Sequence, residues 1–373
     1  MTTRRIAGLA LASLLLLLLV PGAGVDPKRI IPLERIDDAA FWRMFSEFSE
    51  PGGDFHSDNL VSNEQGFPAI VPEIAKRATA TGAYIGVGPE QNFSYLAALG
   101  PRIAFIVDIR RENAILHLLY KALFELSASR AEFLSRLFSR PRPRHVGPSS
   151  GARELVEAFA VVPPSLDLYE SNLRQVRSQL LEVHGFELGA EDLAALERVW
   201  TAFFEAGPGL RYSLRWFRRP RPFPSYAELM SATDQLGVAR SFLASEQGYQ
   251  VVRTLQQHNL IIPVVGDFAG SKALKAVAAS LRARNLTVTA FYTSNVEVYL
   301  FRRGDWRAFY GNLAALPLDR HSVLVRSVFR GFGMSRPGSG MEGTLLLDSP
   351  RDLVAAFRRG EITNYSDLLV RTR

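Results

Sequence analysis

Cysteine is absent from the 373 residues, and histidine occurs only six times. The absence of cysteine excludes disulfide bonds, thiolate nucleophiles, cysteine-ligated zinc and a lipid-modified N-terminal cysteine. The histidines are scattered along the chain, and no pair has the helical spacing of metal ligands. We therefore expect no metal site.

Lysine is scarce, and most of the 44 basic residues are arginine. The net charge is +7 and the isoelectric point is about 9.8. A basic surface attracts anionic lipids, nucleic acids and acidic glycans, but no nucleic-acid recognition motif accompanies this charge. The composition argues against a nucleic-acid partner. The remaining candidates for a partner are an unknown small molecule or an acceptor substrate. No residue indicates which atom of such a substrate would react.

Long apolar runs are missing except at the N-terminus. Two arginines precede an apolar run over residues 6–20, and the small residues Gly22, Ala23 and Gly24 follow. This order predicts a signal peptide over residues 1–24, since the run is short for a membrane-spanning helix of about 20 residues. The alternatives are an uncleaved anchor with the body outside and a cytosolic protein with a misassigned start. We expect an exported, periplasmic protein or one anchored to the membrane by this segment.

Short apolar segments alternate with helical ones over much of the remaining chain. Six are expected to be strands: 83–88, 102–109, 260–267, 286–294, 322–329 and 343–348. The first four are separated by helices, which is the pattern of a parallel sheet. Only a glycine-rich loop separates the last two.

Two helices carry clear boundary signals. The amphipathic segment 111–138 predicts a long helix that is broken near residues 127–129. In the closing helix, 349–362, Ser349 suits the N-cap and Pro350 suits the first helical position.

Two loops rich in proline and arginine, 139–151 and 218–226, interrupt the alternation. We interpret the interrupting segment as an inserted helical subdomain. One stretch, 211–223, mixes five arginines with aromatic residues; it either stacks on bases, sugars or headgroups or is a solvated loop. We therefore expect four parts. They are the signal peptide or anchor (1–24), a helical lead (25–79), an α/β domain in two pieces (80–138 and 236–373) and the insertion (139–235).

The stretch YIGVGPEQ joins a short strand to a helix through two glycines. Gly86 and Gly88 allow the backbone to approach a ligand closely, often at positive φ. The helix start at Glu90 directs free N–H groups to the same place. Asp108 follows Gly88 by 20 residues, at the end of the second strand. An acid there accepts two hydrogen bonds from ribose hydroxyls, so the turn predicts a nucleotide-type ligand.

The turn matches neither common glycine fingerprint in full. A dinucleotide fingerprint that begins at Gly86 has its third glycine at position 91, and this chain has Gln91 there. The mismatch weakens the prediction of a nicotinamide cofactor. A methyltransferase-type turn usually has an acid at position 84 and a glycine at position 90, where this chain has Tyr84 and Glu90.

The stretches YIGVGPEQNFSYLAALGPRIAFIVDIRRENA and NLIIPVVGDFAG resemble an uncharacterised bacterial family with a class I S-adenosylmethionine-dependent methyltransferase-like (Rossmann) fold. The resemblance covers residues 80–138 and 240–348. It implies an α/β fold, with a methyltransferase-like Rossmann sheet that ends in an antiparallel hairpin and carries the inserted helical subdomain. It also implies S-adenosylmethionine as the cofactor, held by Gly86, Gly88, Glu90, Asp108 and Asp267.

Asp267, in VVGDFAG, has two interpretations. The resemblance places it where the fourth strand presents reaction-side residues. The alternative is an N-cap for the helix that starts near Ser271. Two further loops, 57–65 and 293–297, are either ordinary capping loops or parts of the pocket, with Asn295 and Glu297 facing the substrate.

Three functions stay open on the sequence alone. The first is a methyltransferase-like protein that binds S-adenosylmethionine, and the second is an exported, non-catalytic binding protein that retains the fold. The third is a nicotinamide-dependent enzyme. The compartment separates the first two, because S-adenosylmethionine is made and kept in the cytoplasm.

Overall fold

The computed structural model of the chain describes residues 34–78, 82–213, 223–329 and 343–371. The expected signal peptide, most of the stretch rich in arginine and aromatic residues, and the loop between the last two strands lie outside these ranges. Among the helices in these ranges, none is long and apolar enough to cross a membrane.

The strands and helices have the following bounds. The strands are β1 Ala83–Gly86, β2 Ile103–Asp108, β3 Ile261–Val265, β4 Val288–Ser294, β5 Val323–Phe329 and β6 Gly343–Asp348. The α-helices are α1 Asp38–Phe48, α2 Phe67–Arg77, α3 Gln91–Leu99, α4 Arg111–Glu125, α5 Arg130–Phe138, α6 Ala152–Ala160, α7 Leu166–Ser178, α8 Ala190–Ala206, α9 Tyr226–Ser231, α10 Glu246–Gln257, α11 Ala273–Ala283, α12 Val296–Arg303, α13 Trp306–Ala315, α14 Pro350–Arg358 and α15 Tyr365–Arg371. A π-helical turn, Gln179–Val183, follows α7.

The six strands form one sheet in the order β3-β2-β1-β4-β5-β6. All neighbours are parallel except β5 and β6, which are antiparallel. In the register, Ile85 lies between Phe105 of β2 and Phe291 of β4. This sheet resembles the methyltransferase-like sheet, so the predicted α/β fold and its terminal antiparallel hairpin are confirmed.

Burial explains why the strands could be recognised. Every residue of β1, β2 and β3 is buried, as is typical of parallel strands that helices cover on both faces. Such strands appear in a sequence as short, continuous apolar runs. The helices α1 and α4 pack against β3, and α4 and α11 pack against β2.

The predicted helix boundaries follow from local caps. The break in the long amphipathic segment is confirmed, because α4 ends at Glu125 and α5 begins at Arg130. Ser129 is the N-cap of α5, and its hydroxyl accepts a hydrogen bond from the Glu132 N–H. Ser349 caps α14 in the same way, with Pro350 at the first helical position.

The chain between β2 and β3 is helical, and its buried side chains belong to the same hydrophobic core as the sheet. Helix α8 packs against α4 and α5. The buried Trp200 of α8 donates its indole N–H to the carbonyl of Leu137 at 2.9 Å. This part of the chain therefore forms one body with the sheet through α4 and α5.

A buried network of charges joins α1 to α4 and to the start of β3. The Lys121 ammonium donates to Glu125 Oε1 at 2.6 Å and to Asn259 Oδ1 at 2.5 Å. His184 lies 2.6 Å from Glu125 Oε2 through Nε2 and 2.7 Å from Asp38 Oδ1 through Nδ1. Lys121 is 1 % exposed, so its charge depends on these partners.

We predict that Lys121→Met lowers the free energy of unfolding by about 3–5 kcal/mol, because it leaves the buried Glu125 carboxylate without its ammonium partner. The matched control is Lys76→Met, which removes a lysine from an exposed pair with Glu73 and should cost under about 1 kcal/mol. Urea denaturation of the two variants gives the comparison. Equal losses would contradict a structural role for the network.

Candidate functional site

A cavity opens at the carboxyl ends of β1, β2, β3 and β4. Residues that end or follow each of these strands line it: Val87 and Gly88, Asp108 and Ile109, Gly266 and Asp267, Ser294 and Asn295. Its volume is about 120 Å³, and one water molecule needs roughly 10–15 Å³, so a ligand of several heavy atoms fits. The sheet order reverses at β1, and open α/β sheets bind ligands at such a point.

The two glycines of the turn have different roles. Gly88 lines the cavity and has a φ of +77°, in the left-handed region that favours glycine. Gly86 does not line the cavity. A Cβ atom at position 86 would overlap the side-chain oxygen of Asn92 and crowd the ring of Tyr84. Gly86 is therefore required by packing behind the turn and does not face a ligand.

Asn92 holds the turn in place. Its amide nitrogen donates to the carbonyls of Val87, Gly88 and Pro89 at 2.9, 3.1 and 2.7 Å. The Tyr84 hydroxyl donates to the other end of the same amide at 2.8 Å. Sequence reasoning missed Asn92, although an asparagine in the first turn of the helix after a glycine turn is a signal for such a role.

The glycine turn is also held by a hydrogen bond from a buried histidine, His117. His117 Nε2 lies 2.8 Å from the Gly88 carbonyl oxygen. Burial lowers the pKa of His117 to about 4, so the ring is neutral at pH 7 and its Nε2–H donates to that carbonyl. The backbone of Gly88 is thus fixed from two sides before any ligand binds.

Asp108 lines the cavity but is already paired. Its Oδ1 accepts hydrogen bonds from the Arg110 backbone N–H at 2.9 Å and from Arg110 Nε at 3.1 Å, and Oδ2 accepts from Nη2 at 3.1 Å. A carboxylate has about four acceptor positions. One position on Oδ2 is left, so Asp108 can accept one ribose hydroxyl where the sequence predicted two.

Asp267 lies after β3, the third strand, so its expected position at the fourth strand is wrong. It lines the cavity, and its Oδ2 lies 2.5 Å from Arg303 Nη2. The N-cap interpretation is also wrong, because Asp267 Oδ1 accepts from the Ala269 N–H. The start of α11 is capped by Glu50, whose Oε1 accepts from the N–H groups of Lys272 and Ala273.

Glu90 is fully buried and does not line the cavity. Its Oε1 accepts a hydrogen bond from the Ser62 N–H at 3.1 Å, and its Oε2 has no partner. Burial raises the pKa of Glu90 to about 7. Glu90 therefore fastens the loop 57–65 to the glycine turn, and Asn59, Ser62 and Asn63 of that loop line the cavity.

Glu64 lies at the centre of a buried polar cluster beside the cavity. Its carboxylate accepts hydrogen bonds from Gln91 Nε2 at 3.0 Å, the Tyr292 hydroxyl at 2.8 Å and the Ser294 hydroxyl at 2.6 Å. Burial raises the pKa of this carboxyl above its usual value. Tyr292 and Ser294 line the cavity, so Glu64 reaches it through their hydroxyl groups.

The loop after β4 contributes one of its two candidates. Asn295 lines the cavity, but Glu297 is buried elsewhere, against Arg326 of β5 and the hydroxyl of Tyr310. The expectation that Glu297 faces a substrate is therefore wrong. An acid buried beside an arginine of the next strand could not be recognised from the sequence around it.

Aromatic side chains form part of the cavity wall. Phe55 and Tyr299 line it, and their rings meet edge to face with centroids 5.3 Å apart. Of the stretch 211–223, Tyr212 lines the cavity and its ring contacts Phe223.

The described residues contain no group of three or more His, Asp or Glu side chains that could hold a metal ion.

Residues 147–151 read GPSSG, a Gly-x-Ser-x-Gly spacing that marks the nucleophile elbow in α/β hydrolases. Such an elbow joins a strand to a helix, but this segment lies between α5 and α6. Arg130 binds the carbonyls of Pro148 and Ser150, and the segment does not line the cavity. It therefore has the geometry of a helix-connecting turn.

A family model described as a domain of unknown function, DUF7790, matches residues 59–146 and 166–344. The chain belongs to this family. The chain matches no curated protein. The DUF7790 match includes Gly88, Asp108, Asp267 and Ser294, which line the cavity, and it begins after α1 and Glu50. Membership gives no activity, so the function must be argued from the cavity.

We predict that Gly86→Ala lowers the free energy of unfolding by about 1–3 kcal/mol or more without any ligand, because the new methyl group overpacks the site of Asn92. Gly147→Ala is the control, since a Cβ there meets nothing within 4 Å; it should change stability by less than about 0.5 kcal/mol. Thermal denaturation of both variants tests this. If Gly86→Ala leaves the stability unchanged, packing does not require this glycine, and a role in ligand binding is again open.

Glu90→Gln should change how stability depends on pH. A carboxyl whose folded pKa is raised from 4.5 to about 7 stabilises the fold below pH 4.5, and this contribution is lost as pH rises through 7. Between pH 5 and pH 8, the wild type should lose roughly 3 kcal/mol relative to Glu90→Gln. Urea denaturation at both pH values measures the difference. Parallel pH profiles for the two proteins would show that Glu90 is not buried as described.

Proposed function

We propose that the cavity binds S-adenosylmethionine and that the protein is methyltransferase-like. The observation that carries this proposal is the convergence of Gly88, Asp108 and Asp267 on one cavity at the carboxyl ends of β1, β2 and β3. These strands occupy the part of the sheet where Rossmann-like folds hold nucleotides. The resemblance of the sheet to that of methyltransferases favours an adenosyl ligand over a dinucleotide.

Each lining group has a role in this proposal. Gly88 allows the ligand to lie against the turn, and the free position on Asp108 Oδ2 accepts one ribose hydroxyl. The apolar side chains of Val107, Ile109 and Phe268 line the same cavity and suit the faces of a purine ring. S-adenosylmethionine would supply the reaction with a methyl group on a positively charged sulfur.

A non-catalytic binding protein is the second candidate, and one observation favours it. Asp108 is paired with Arg110, and Asp267 is paired with Arg303. Two of the three acids that line the cavity, all but Asp54, are thus neutralised without a ligand, which suits a fold that has lost its original cofactor. The N-terminal segment 1–24 supports this alternative, because an exported or membrane-anchored protein would lie outside the compartment that holds S-adenosylmethionine.

Thermal-shift titration separates these candidates. The purified protein is titrated with S-adenosylmethionine, S-adenosylhomocysteine and NAD. A ligand at about 100 times its dissociation constant adds roughly 2.7 kcal/mol to stability, so we expect a raised melting temperature with the first two ligands. No shift with any of them, in a well-folded sample, would favour the non-catalytic candidate. A shift with NAD alone would favour a nicotinamide-dependent enzyme.

The role of Asp108 is tested by Asp108→Asn. Alanine is unsuitable, because it would leave the buried Arg110 guanidinium without any acceptor at position 108, whereas asparagine keeps one oxygen. Asparagine removes the charged acceptor, and losing one such hydrogen bond costs about 1.5–3 kcal/mol. We therefore expect about 10-fold to 100-fold weaker binding of S-adenosylhomocysteine by calorimetry.

The matched control for this variant is Asp192→Asn. Asp192 forms a similar two-point pair with Arg111, at 2.6 and 2.7 Å, but does not line the cavity. Its substitution should leave the affinity for S-adenosylhomocysteine unchanged. If both variants and the wild type bind S-adenosylhomocysteine with equal affinity, Asp108 does not contact the ligand.

A further inference from the structure

The side of the cavity beside β4 presents hydrogen-bond acceptors. Tyr292 and Ser294 line it, and both donate their hydroxyl protons to the Glu64 carboxylate. A hydroxyl group has one proton to donate and two lone pairs. Because both protons are committed to Glu64, the two oxygens offer only lone pairs to a ligand, and one lone pair of Tyr292 already accepts a hydrogen bond from Gln91 Nε2 at 3.2 Å.

The negative charge behind these hydroxyls has no positive partner among the described residues. The groups that donate to Glu64 are the neutral side chains of Gln91, Tyr292 and Ser294. The two arginines that line the cavity, Arg110 and Arg303, are paired with other acids. A buried carboxylate without a cation is costly, so a ligand that brings positive charge to this side would offset that cost.

The backbone at Ser294 is held in an uncommon conformation. Its φ is +50°, in the left-handed region that few residues other than glycine adopt. The pairing of β4 with β5 also shifts register between Tyr292 and Ser294. Strain of this kind persists where the surroundings impose it, often at functional sites. Here it accompanies a hydroxyl that lines the cavity and binds Glu64.

We propose that the β4 side of the cavity binds an amine substrate as its ammonium ion, and that Glu64 takes up one proton from the methylated nitrogen through the Ser294 hydroxyl. This inference rests on the proposed function and names the substrate class of the same site. An ammonium ion supplies the positive charge that this side lacks and N–H donors for the remaining lone pairs of the Ser294 and Tyr292 oxygens. Ser294 is then the group that touches the substrate, and Glu64 is a positioning residue that acts through it.

The proposed step balances in protons and electrons. The ammonium first loses one proton to solvent, which leaves a neutral amine with a lone pair. The nitrogen attacks the methyl carbon, an N–C bond forms, and the C–S bond breaks with its electron pair moving to sulfur. The methylated nitrogen gives a proton to Ser294 Oγ while the Ser294 proton moves to Glu64 Oε1. The products are a methylated amine, a neutral thioether and a protonated Glu64.

The test compares two ligands that differ at the reacting centre. Sinefungin carries an amine, protonated at neutral pH, in place of the methylsulfonium, and S-adenosylhomocysteine has a neutral sulfur there. Calorimetry on the wild type should show about tenfold tighter binding of sinefungin, as expected for one charge-assisted hydrogen bond. In Glu64→Gln this ratio should fall to about one, because the side chain keeps its shape and loses its charge.

Ser294→Gly provides the second variant, since glycine adopts the left-handed backbone without strain. It removes the hydroxyl and should also abolish the preference for sinefungin. A ratio of affinities that stays at the wild-type value in both variants would overturn this inference and leave the proposed function standing. Failure of both ligands to bind the wild type would overturn the proposed function and this inference together.

Discussion

The parallel pairing of β1 with both β2 and β4 is the constraint on which the site depends. It brings the carboxyl ends of four strands to one edge of the sheet, although β2 and β3 are separated in the chain by more than a hundred residues. Gly88, Asp108, Asp267 and Ser294 meet only because of this pairing. The helices between β2 and β3 share one core with the sheet, and α5, α7, α8 and α10 pack on α4.

Three carboxylates attach the segment before the sheet to this edge. Glu50 accepts the backbone N–H groups at the start of α11, and Glu64 accepts the hydroxyls at the end of β4. The third carboxylate, Glu90, lies in the glycine turn and accepts a hydrogen bond from the backbone N–H of Ser62 in the segment before the sheet. Glu64 and Glu90 satisfy donors that would otherwise be buried without partners. The wall of the cavity is therefore built by residues that a glycine fingerprint does not contain.

The sequence predicted the parts of the fold that local patterns encode. Continuous apolar runs marked the six strands, residues 127–129 marked a break in a long helix, and Ser349 marked a helix start, because capping uses residues three positions apart. It placed Gly88 and Asp108 correctly at strand ends that line the cavity. It missed Glu50 and Glu64, whose partners lie 222 and 230 residues away. It also assigned Gly86 and Glu90 to a ligand, although both are buried behind the turn, because a fingerprint does not show which face a side chain takes.

We propose that an adenosyl ligand occupies the cavity at the carboxyl ends of β1, β2 and β3. A crystal structure of the protein grown with saturating S-adenosylhomocysteine is the decisive measurement. We expect electron density for the ligand beside Gly88, with a ribose hydroxyl within hydrogen-bonding distance of Asp108 Oδ2. A well-ordered structure in which this cavity holds no ligand, or in which the ligand lies elsewhere on the protein, would contradict it.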